Sequence, residues 1–133
     1  MIKFSQVRHL SVSVGRAPQD VYAYASQPEN MPAWAAGLGH GISRAGADWE
    51  VHTPQGRLKM RFTPPNDHGV LDHTVVLPDG AEVYVPLRVL ANGAGSEVVL
   101  TLYRQPEMDD ATFARDAGMV ESDLARLKAL LEK

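Results

Sequence analysis

Two prolines four residues apart, Pro28 and Pro32, are the strongest constraint on the fold of this chain. Each proline lacks a backbone hydrogen-bond donor and crowds the turn before it, so one continuous helix cannot pass through this segment. Residues 18–26 and 31–36 nevertheless have helical patterns on either side of the break. We therefore predict two short helices joined by a proline elbow, with the indole of Trp34 turned toward the interior.

The composition is that of an ordinary globular domain. The chain has 133 residues, with 44% hydrophobic and 22% charged, so we expect a single domain spanning residues 1–133 with a sizeable core. The net charge of −3 argues against a nucleic-acid partner. We expect no membrane span and no secretory signal, hence a cytoplasmic location. The chain has no cysteine, which excludes disulfides and cysteine-based metal sites.

Apolar and polar residues alternate before the short helices and over most of the chain from them to residue 104, which is typical of strands. The predicted strands cover residues 6–14, 47–53, 58–63, 69–77, 82–90 and 97–104. A four-residue turn at 54–57 would place Glu50 opposite Arg61. The Asp-Gly turn within residues 78–81 favours a hairpin in which His73 lies opposite Val85.

One long helix follows, with Asp109 or Asp110 as its N-terminal cap. Its apolar residues recur at steps of three and four. This stripe consists of Phe113, Ala117, Val120, Leu124, Leu127 and Leu131. At ~1.5 Å per residue the helix is about 35 Å long, enough to lie along a whole sheet. The short links between the strands predict an antiparallel meander.

Three segments resemble a known superfamily. They are Pro-Gln-Asp-Val-Tyr at 18–22, Gln-Pro-Glu-Asn-Met-Pro-Ala-Trp at 27–34, and Asp-Leu-Ala-Arg-Leu-Lys-Ala-Leu-Leu at 123–131. Gly-Val-Leu-Asp-His at 69–73 and Gly-Ser-Glu-Val at 95–98 add to the likeness. Together they resemble the START-like, helix-grip superfamily (SRPBCC), especially its small bacterial polyketide cyclase/dehydrase-like members.

The resemblance covers nearly the whole chain and implies an α+β helix-grip fold. In that fold a curved seven-stranded antiparallel sheet wraps around the long C-terminal helix, and two short helices follow the first strand. Such proteins bind lipids, sterols, polyketides or hormones, act as cyclases or hydrolases, or bind chaperones. The resemblance therefore implies a fold without choosing one function.

The first functional prediction is a binding module for a small hydrophobic or aromatic ligand, held in a cavity between the sheet and the C-terminal helix. Ligand cavities are mostly apolar with few polar groups. The predicted ligand-binding residues are Tyr24, Trp34, Trp49, Met60, Phe62, His73, Val85 and Val120. For each large apolar residue the alternative is ordinary core packing.

His73 is the candidate catalytic residue, because an imidazole facing the cavity could act as a general base or ligand donor. The alternative is a packed histidine with a satisfied hydrogen bond. A cyclase or dehydrase-like enzyme would also need a second polar group, such as the hydroxyl of Tyr24 or Tyr84, near the same bound atom.

The chain has five histidines, but none has the spacing of a metal-binding helix motif, so we expect no metal site and no cofactor. They are His9, His40, His52, His68 and His73. A third hypothesis is a protein-interaction module. Tyr84, Pro86 and Leu90, on the opposite strand face, could contact a partner or form a homodimer.

Overall fold

A computed structural model describes residues 1–38, 41–54 and 56–133 of the chain. Strand β1 (Val7–Val14) leads into helix α1 (Pro18–Ala25) and two 3₁₀-helices, Pro28–Ala33 and Ala36–Leu38. The strands that follow are β2 (Ile42–Ala45), β3 (Asp48–Thr53), β4 (Gly56–Phe62), β5 (His73–Val76), β6 (Glu82–Val85), β7 (Leu87–Asn92) and β8 (Gly95–Tyr103). Helix α2 (Asp110–Leu131) comes last.

The described strands form two antiparallel sheets rather than one. Five strands lie in the order β2-β3-β4-β5-β6, and three in the order β1-β8-β7. The prediction of a single seven-stranded sheet is therefore wrong. The predicted strand 82–90 is interrupted at Pro86, which has no N–H to continue a ladder. The predicted strand 69–77 is regular only from His73 onward, and β2 was not predicted.

The carboxylate of Asp72 joins the two sheets at this interruption. It accepts hydrogen bonds from the backbone N–H of Leu87 at 2.9 Å and from the hydroxyl of Tyr84 at 2.7 Å. The guanidinium of Arg88 donates to both carboxylate oxygens, at 2.8 and 2.7 Å. Asp72 is only 6% exposed, yet the hydrogen bonds from Arg88 lower the pKa of its carboxyl from 3.8 to about 2.

Backbone contacts reinforce the junction beside Asp72. The N–H of Leu71 donates to the carbonyl of Leu87, and the N–H of Val89 donates to the carbonyl of Gly69. Gly69 has a φ of +69°, and a Cβ built there would lie 2.3 Å from the carbonyl oxygen of Val89. Only glycine at position 69 allows these two backbone segments to approach this closely.

The long C-terminal helix is confirmed. Its N–H at Thr112 is capped by the side chain of Asp109 at 2.8 Å. The apolar stripe is buried at Phe113, Ala117, Leu124, Leu127 and Leu131, while Val120 is partly buried. The helix lies against β1 and β8. The result is an α+β arrangement of antiparallel sheets and a C-terminal helix, consistent with a helix-grip fold.

The proline elbow is also present, although the second helical piece begins at Pro28 and is a 3₁₀-helix. Trp34 is buried as predicted. The guanidinium of Arg126 donates to the Trp34 carbonyl at 3.1 Å, and the carboxylate of Asp123 accepts from the N–H of Ala36. These contacts tie the elbow to α2. None of the helices in the described ranges is both long and apolar enough to cross a membrane.

Cross-strand pairing agrees with the predictions in part. His73 lies opposite Val85, as expected from the Asp-Gly turn. In the other hairpin, Thr53 pairs with Gly56, so Glu50 lies opposite Lys59 and the predicted pairing with Arg61 is wrong. The register differs by two residues, which leaves every side chain on its predicted face because strands alternate with a period of two.

We expect Asp72→Asn to lower the free energy of unfolding by about 2 kcal/mol near neutral pH, because the charge-assisted bonds to half-exposed Arg88 are lost. Since the pKa of Asp72 is depressed in the folded state, its contribution is present above about pH 4. It is lost as the pH falls through about 2. Urea unfolding from pH 7 to pH 2 measures both effects.

The matched control is Asp67→Asn, an exposed aspartate without an ion pair or side-chain hydrogen bond among the described residues. It should unfold like the original chain at every pH. An Asp72→Asn variant as stable as that control would contradict the role assigned to the junction.

Candidate functional site

A groove of about 1120 Å³ opens in the described part of the chain. One wall is formed by α1 and the first 3₁₀-helix, and another by the loop of residues 63–69. The floor comes from β3, β4 and β7 together with residues 71 and 73. The groove therefore crosses the place where the two sheets meet, with Leu71, His73 and Leu87 from the junction lining it.

The floor is apolar. It consists of Trp49, Phe62, Leu71, Leu87 and Val89, and Met31 adds an apolar side chain from the wall. Met31, Leu87 and Val89 are buried, whereas Trp49, Phe62 and Leu71 keep part of their surface accessible. Polar side chains occupy the rim, including Gln19, Gln27, Glu29, Arg44, Asp67 and His68. Such a surface favours a ligand with an apolar body and few polar atoms.

His73 is the polar group set into this floor. It is 8% exposed, and its ring lies 5.6 Å from that of its cross-strand partner Phe62. Nδ1 lies 3.0 Å from the carbonyl oxygen of Leu71, so the proton is on Nδ1 and Nε2 is left as an acceptor. Burial lowers the pKa of His73, which keeps the ring neutral at pH 7.

The loop wall is held by Asn66. Its side-chain oxygen accepts from the backbone N–H groups of His68 and Val70, and its amide donates to the carbonyls of Pro64 and Val70. The backbone N–H of Asn66 donates to the hydroxyl of Tyr22 on α1 at 2.9 Å. This bond links the two walls of the groove.

The predicted ligand-binding residues are divided between this groove and the core. Trp49, Phe62 and His73 line the groove. Trp34 and Met60 are buried in the core, and Tyr24, Val85 and Val120 pack against it. No residue that lines this groove belongs to α2, so the groove differs from the predicted cavity between the sheet and the C-terminal helix. Apolar side chains from α2 and the elbow pack in that space instead.

The second polar group expected for an enzyme is not where it was predicted. Tyr84 pairs across the sheet with Thr74, on the face opposite His73, and its hydroxyl is bound to Asp72. Tyr24 is not a groove-lining residue. Among the described residues no group of histidine and acidic side chains could hold a metal ion. His40 lies outside the described residues.

Comparison with solved structures shows that this fold is shared at low sequence identity. XoxI from Bacillus cereus is 14% identical, with 94% of each chain covered and a TM-score of 0.74. The Aha1 dimer from Colwellia psychrerythraea is 16% identical, with 96% of each chain covered and a TM-score of 0.74. DynU16 from the dynemicin biosynthetic locus is 16% identical over 96% of this chain and 47% of its own, with a TM-score of 0.72.

These similarities show helix-grip-type architecture and nothing finer, because identities this low do not carry function. No protein-family model and no curated protein matches the sequence.

Sequence reasoning missed Tyr22 and Asn66, which shape the groove, and Arg44 on its rim. Asn66 had a signal, since asparagine after two prolines often organises a turn through its side chain. Arg44 also had a signal in the sequence. It lies two residues after Ile42, and residues two apart in a strand share a face, so Arg44 belongs to the apolar face. Tyr22 carries no local signal, because only long-range packing brings its hydroxyl to the loop.

We expect Tyr22→Phe to loosen the loop wall, because the N–H of Asn66 loses its partner while the ring is retained. The amides of residues 66–70 should exchange hydrogen faster, and the free energy of unfolding should fall by about 1 kcal/mol. Hydrogen exchange followed by NMR measures both. Tyr103→Phe is the control, since the Tyr103 hydroxyl makes no hydrogen bond to the described residues. Unchanged exchange in Tyr22→Phe would contradict the proposed link.

Proposed function

We propose that this chain binds a small apolar or aromatic ligand in the groove between α1, the loop of residues 63–69 and the sheet floor. The observation that carries the proposal is an open space of about 1120 Å³ over an apolar floor with one inset imidazole. Drug-sized ligands occupy pockets of roughly 300–1,000 Å³, so the space is sufficient for a molecule of several rings.

Apolar contacts with the floor and a hydrogen bond to His73 would contribute differently to binding. Apolar surface removed from water contributes about 25 cal/mol per Å², and this term supplies affinity without direction. Nε2 of His73 accepts one hydrogen bond, and this contact supplies orientation. The best ligand therefore places a hydroxyl, such as a phenol, over His73 and its rings over Phe62 and Trp49.

Binding is favoured over the cyclase or dehydrase alternative on the geometry of the site. A general base needs a second polar group near the reacting atom. The hydroxyl of Tyr84 lies on the far side of the sheet, and the hydroxyl of Tyr22 is used to hold the loop. The other charged or titratable side chains that line the groove, Glu29, Arg44, Asp67 and His68, are exposed at its rim, whereas His73 is set into the floor. In this arrangement the neutral acceptor nitrogen of His73 serves as a ligand contact.

The sequence also led to the hypothesis that the opposite face of the sheet, with Tyr84, Pro86 and Leu90, contacts a protein partner or forms a homodimer. Tyr84 is 50% and Leu90 48% exposed, which leaves that surface accessible. Self-association stays a prediction, and the concentration dependence of the molecular mass by light scattering would test it.

Filling the groove should abolish binding of a neutral apolar probe. Ala23 is an exposed α1 residue that lines the groove, so Ala23→Trp should place an indole in the ligand space. We expect the affinity for N-phenylnaphthylamine, followed by its fluorescence, to fall by more than tenfold.

Ala125→Trp is the matched control, because it makes the same change at an exposed position on α2 outside the groove. It should bind the probe as the original chain does. If the original chain gives no probe fluorescence and no ligand-induced rise in Tm, the proposed function is wrong.

His73→Phe tests the orienting contact. Phenylalanine keeps a ring of similar size beside Phe62 but removes the Nε2 acceptor. We expect the original chain to prefer naphthol over naphthalene by about fivefold beyond their difference in hydrophobicity, and the variant to lose that preference. Calorimetric titration of both compounds measures it. An unchanged preference would mean that His73 is a packing residue only.

A further inference from the structure

Arg44 is a charged residue on an otherwise uncharged sheet face. It lies directly opposite Trp49, which lies opposite Met60 and then Val75, and opposite residues share a face. This inner face carries Ile42, Arg44, Trp49, Val51, Thr53, Gly56, Leu58, Met60, Phe62, His73, Val75, Val83 and Val85. Among these described residues Arg44 alone bears a full charge at pH 7.

The arginines of the outer face are placed differently, because each of them contacts a carboxylate. Arg57 pairs with Glu50 at 3.5 Å. Arg61 contacts both Asp48 at 3.7 Å and Glu82 at 3.9 Å. An ordinary surface arginine of this sheet therefore has a carboxylate across the strand. Arg44 has apolar and aromatic neighbours across the strand instead.

Arg44 makes no ion pair with any carboxylate of the described residues, and among the arginines only Arg115 shares this property. Its guanidinium carbon lies 5.6 Å from the centroid of the Trp49 ring. That stacking holds the cation against an aromatic surface that also lines the groove. The five N–H donors of the guanidinium have no acceptor among the described residues.

We propose that Arg44 binds the carboxylate of an amphipathic ligand whose apolar body lies on the groove floor. This inference rests on the proposed function and adds the ligand class, an aromatic or aliphatic carboxylic acid. A guanidinium binds a carboxylate through two parallel N–H···O bonds, which fixes the orientation of the acid group. The stacked position on Trp49 places that contact beside the apolar floor.

Two other charges on the rim bear on this assignment. Glu29 and Asp67 also line the groove, and both would repel an anion. Both are exposed to solvent, where charges beyond close contact are strongly screened. A charge pointing inward from an edge strand can also serve to prevent aggregation, and β2 is an edge strand. The experiment must therefore separate a binding role from that protective one.

The test uses two probes of the same shape, naphthylacetate and naphthylacetamide, titrated calorimetrically into the original chain and two variants. We expect the original chain to bind the carboxylate about tenfold tighter than the amide, with an affinity that falls as salt is added. The Arg44→Gln substitution should lower the affinity for the carboxylate about tenfold and the affinity for the amide less than twofold. Arg115→Gln, which removes the other arginine without an ion pair, should change neither.

Each result decides the matter. Equal affinity of both probes for the original chain, or an Arg44→Gln variant with unchanged preference, overturns the ligand class while leaving the apolar groove intact. Binding of neither probe, nor of N-phenylnaphthylamine, overturns the proposed function as well. Should Arg44→Gln aggregate, Arg44→Lys keeps the charge without the planar fork, and a carboxylate preference unchanged from the original chain would overturn the bidentate contact.

Discussion

The carboxylate of Asp72 is the interaction on which the rest of this structure depends. Pro86 interrupts the strand between β6 and β7, and a break there would leave the N–H of Leu87 without a partner. Asp72 accepts hydrogen bonds from that N–H, from the hydroxyl of Tyr84 and from Nε and Nη2 of Arg88. One buried charge thus joins two sheets, and its hydrogen bonds offset the cost of removing it from water.

The same junction positions the groove. Neighbouring residues in a strand point to opposite faces, so holding Asp72 toward the outer face directs His73 toward the inner one. The close contact of Gly69 with Val89 brings the loop of residues 63–69 over the floor. The bond from Asn66 to the Tyr22 hydroxyl then ties that loop to α1. The junction at Asp72, the loop of residues 63–69 and the imidazole of His73 are therefore held in place by one connected set of contacts.

The groove combines a broad apolar floor with two polar groups of different character. His73, on β5, offers a neutral acceptor because burial lowers its pKa. Arg44, on edge strand β2, offers donors stacked on Trp49. An apolar surface alone binds many compounds with little selectivity, whereas a separated donor and acceptor select for shape and charge. The proposed ligand follows from this pairing of chemistries.

What the sequence by itself determined was local. The apolar stripe of α2, its cap at Asp109, the elbow at Pro28 and the placement of His73 opposite Val85 follow from spacing, capping and turn chemistry over a few residues.

Only the tertiary structure decided which distant segments meet. The split into two sheets depends on where the Asp72 side chain finds its donors, fifteen or so residues away along the chain. Apolar side chains of the elbow and of the α2 stripe belong to one packed core, and the groove opens beside α1. Such choices are set by packing between residues far apart in the chain, and periodicity within one segment carries no information about them.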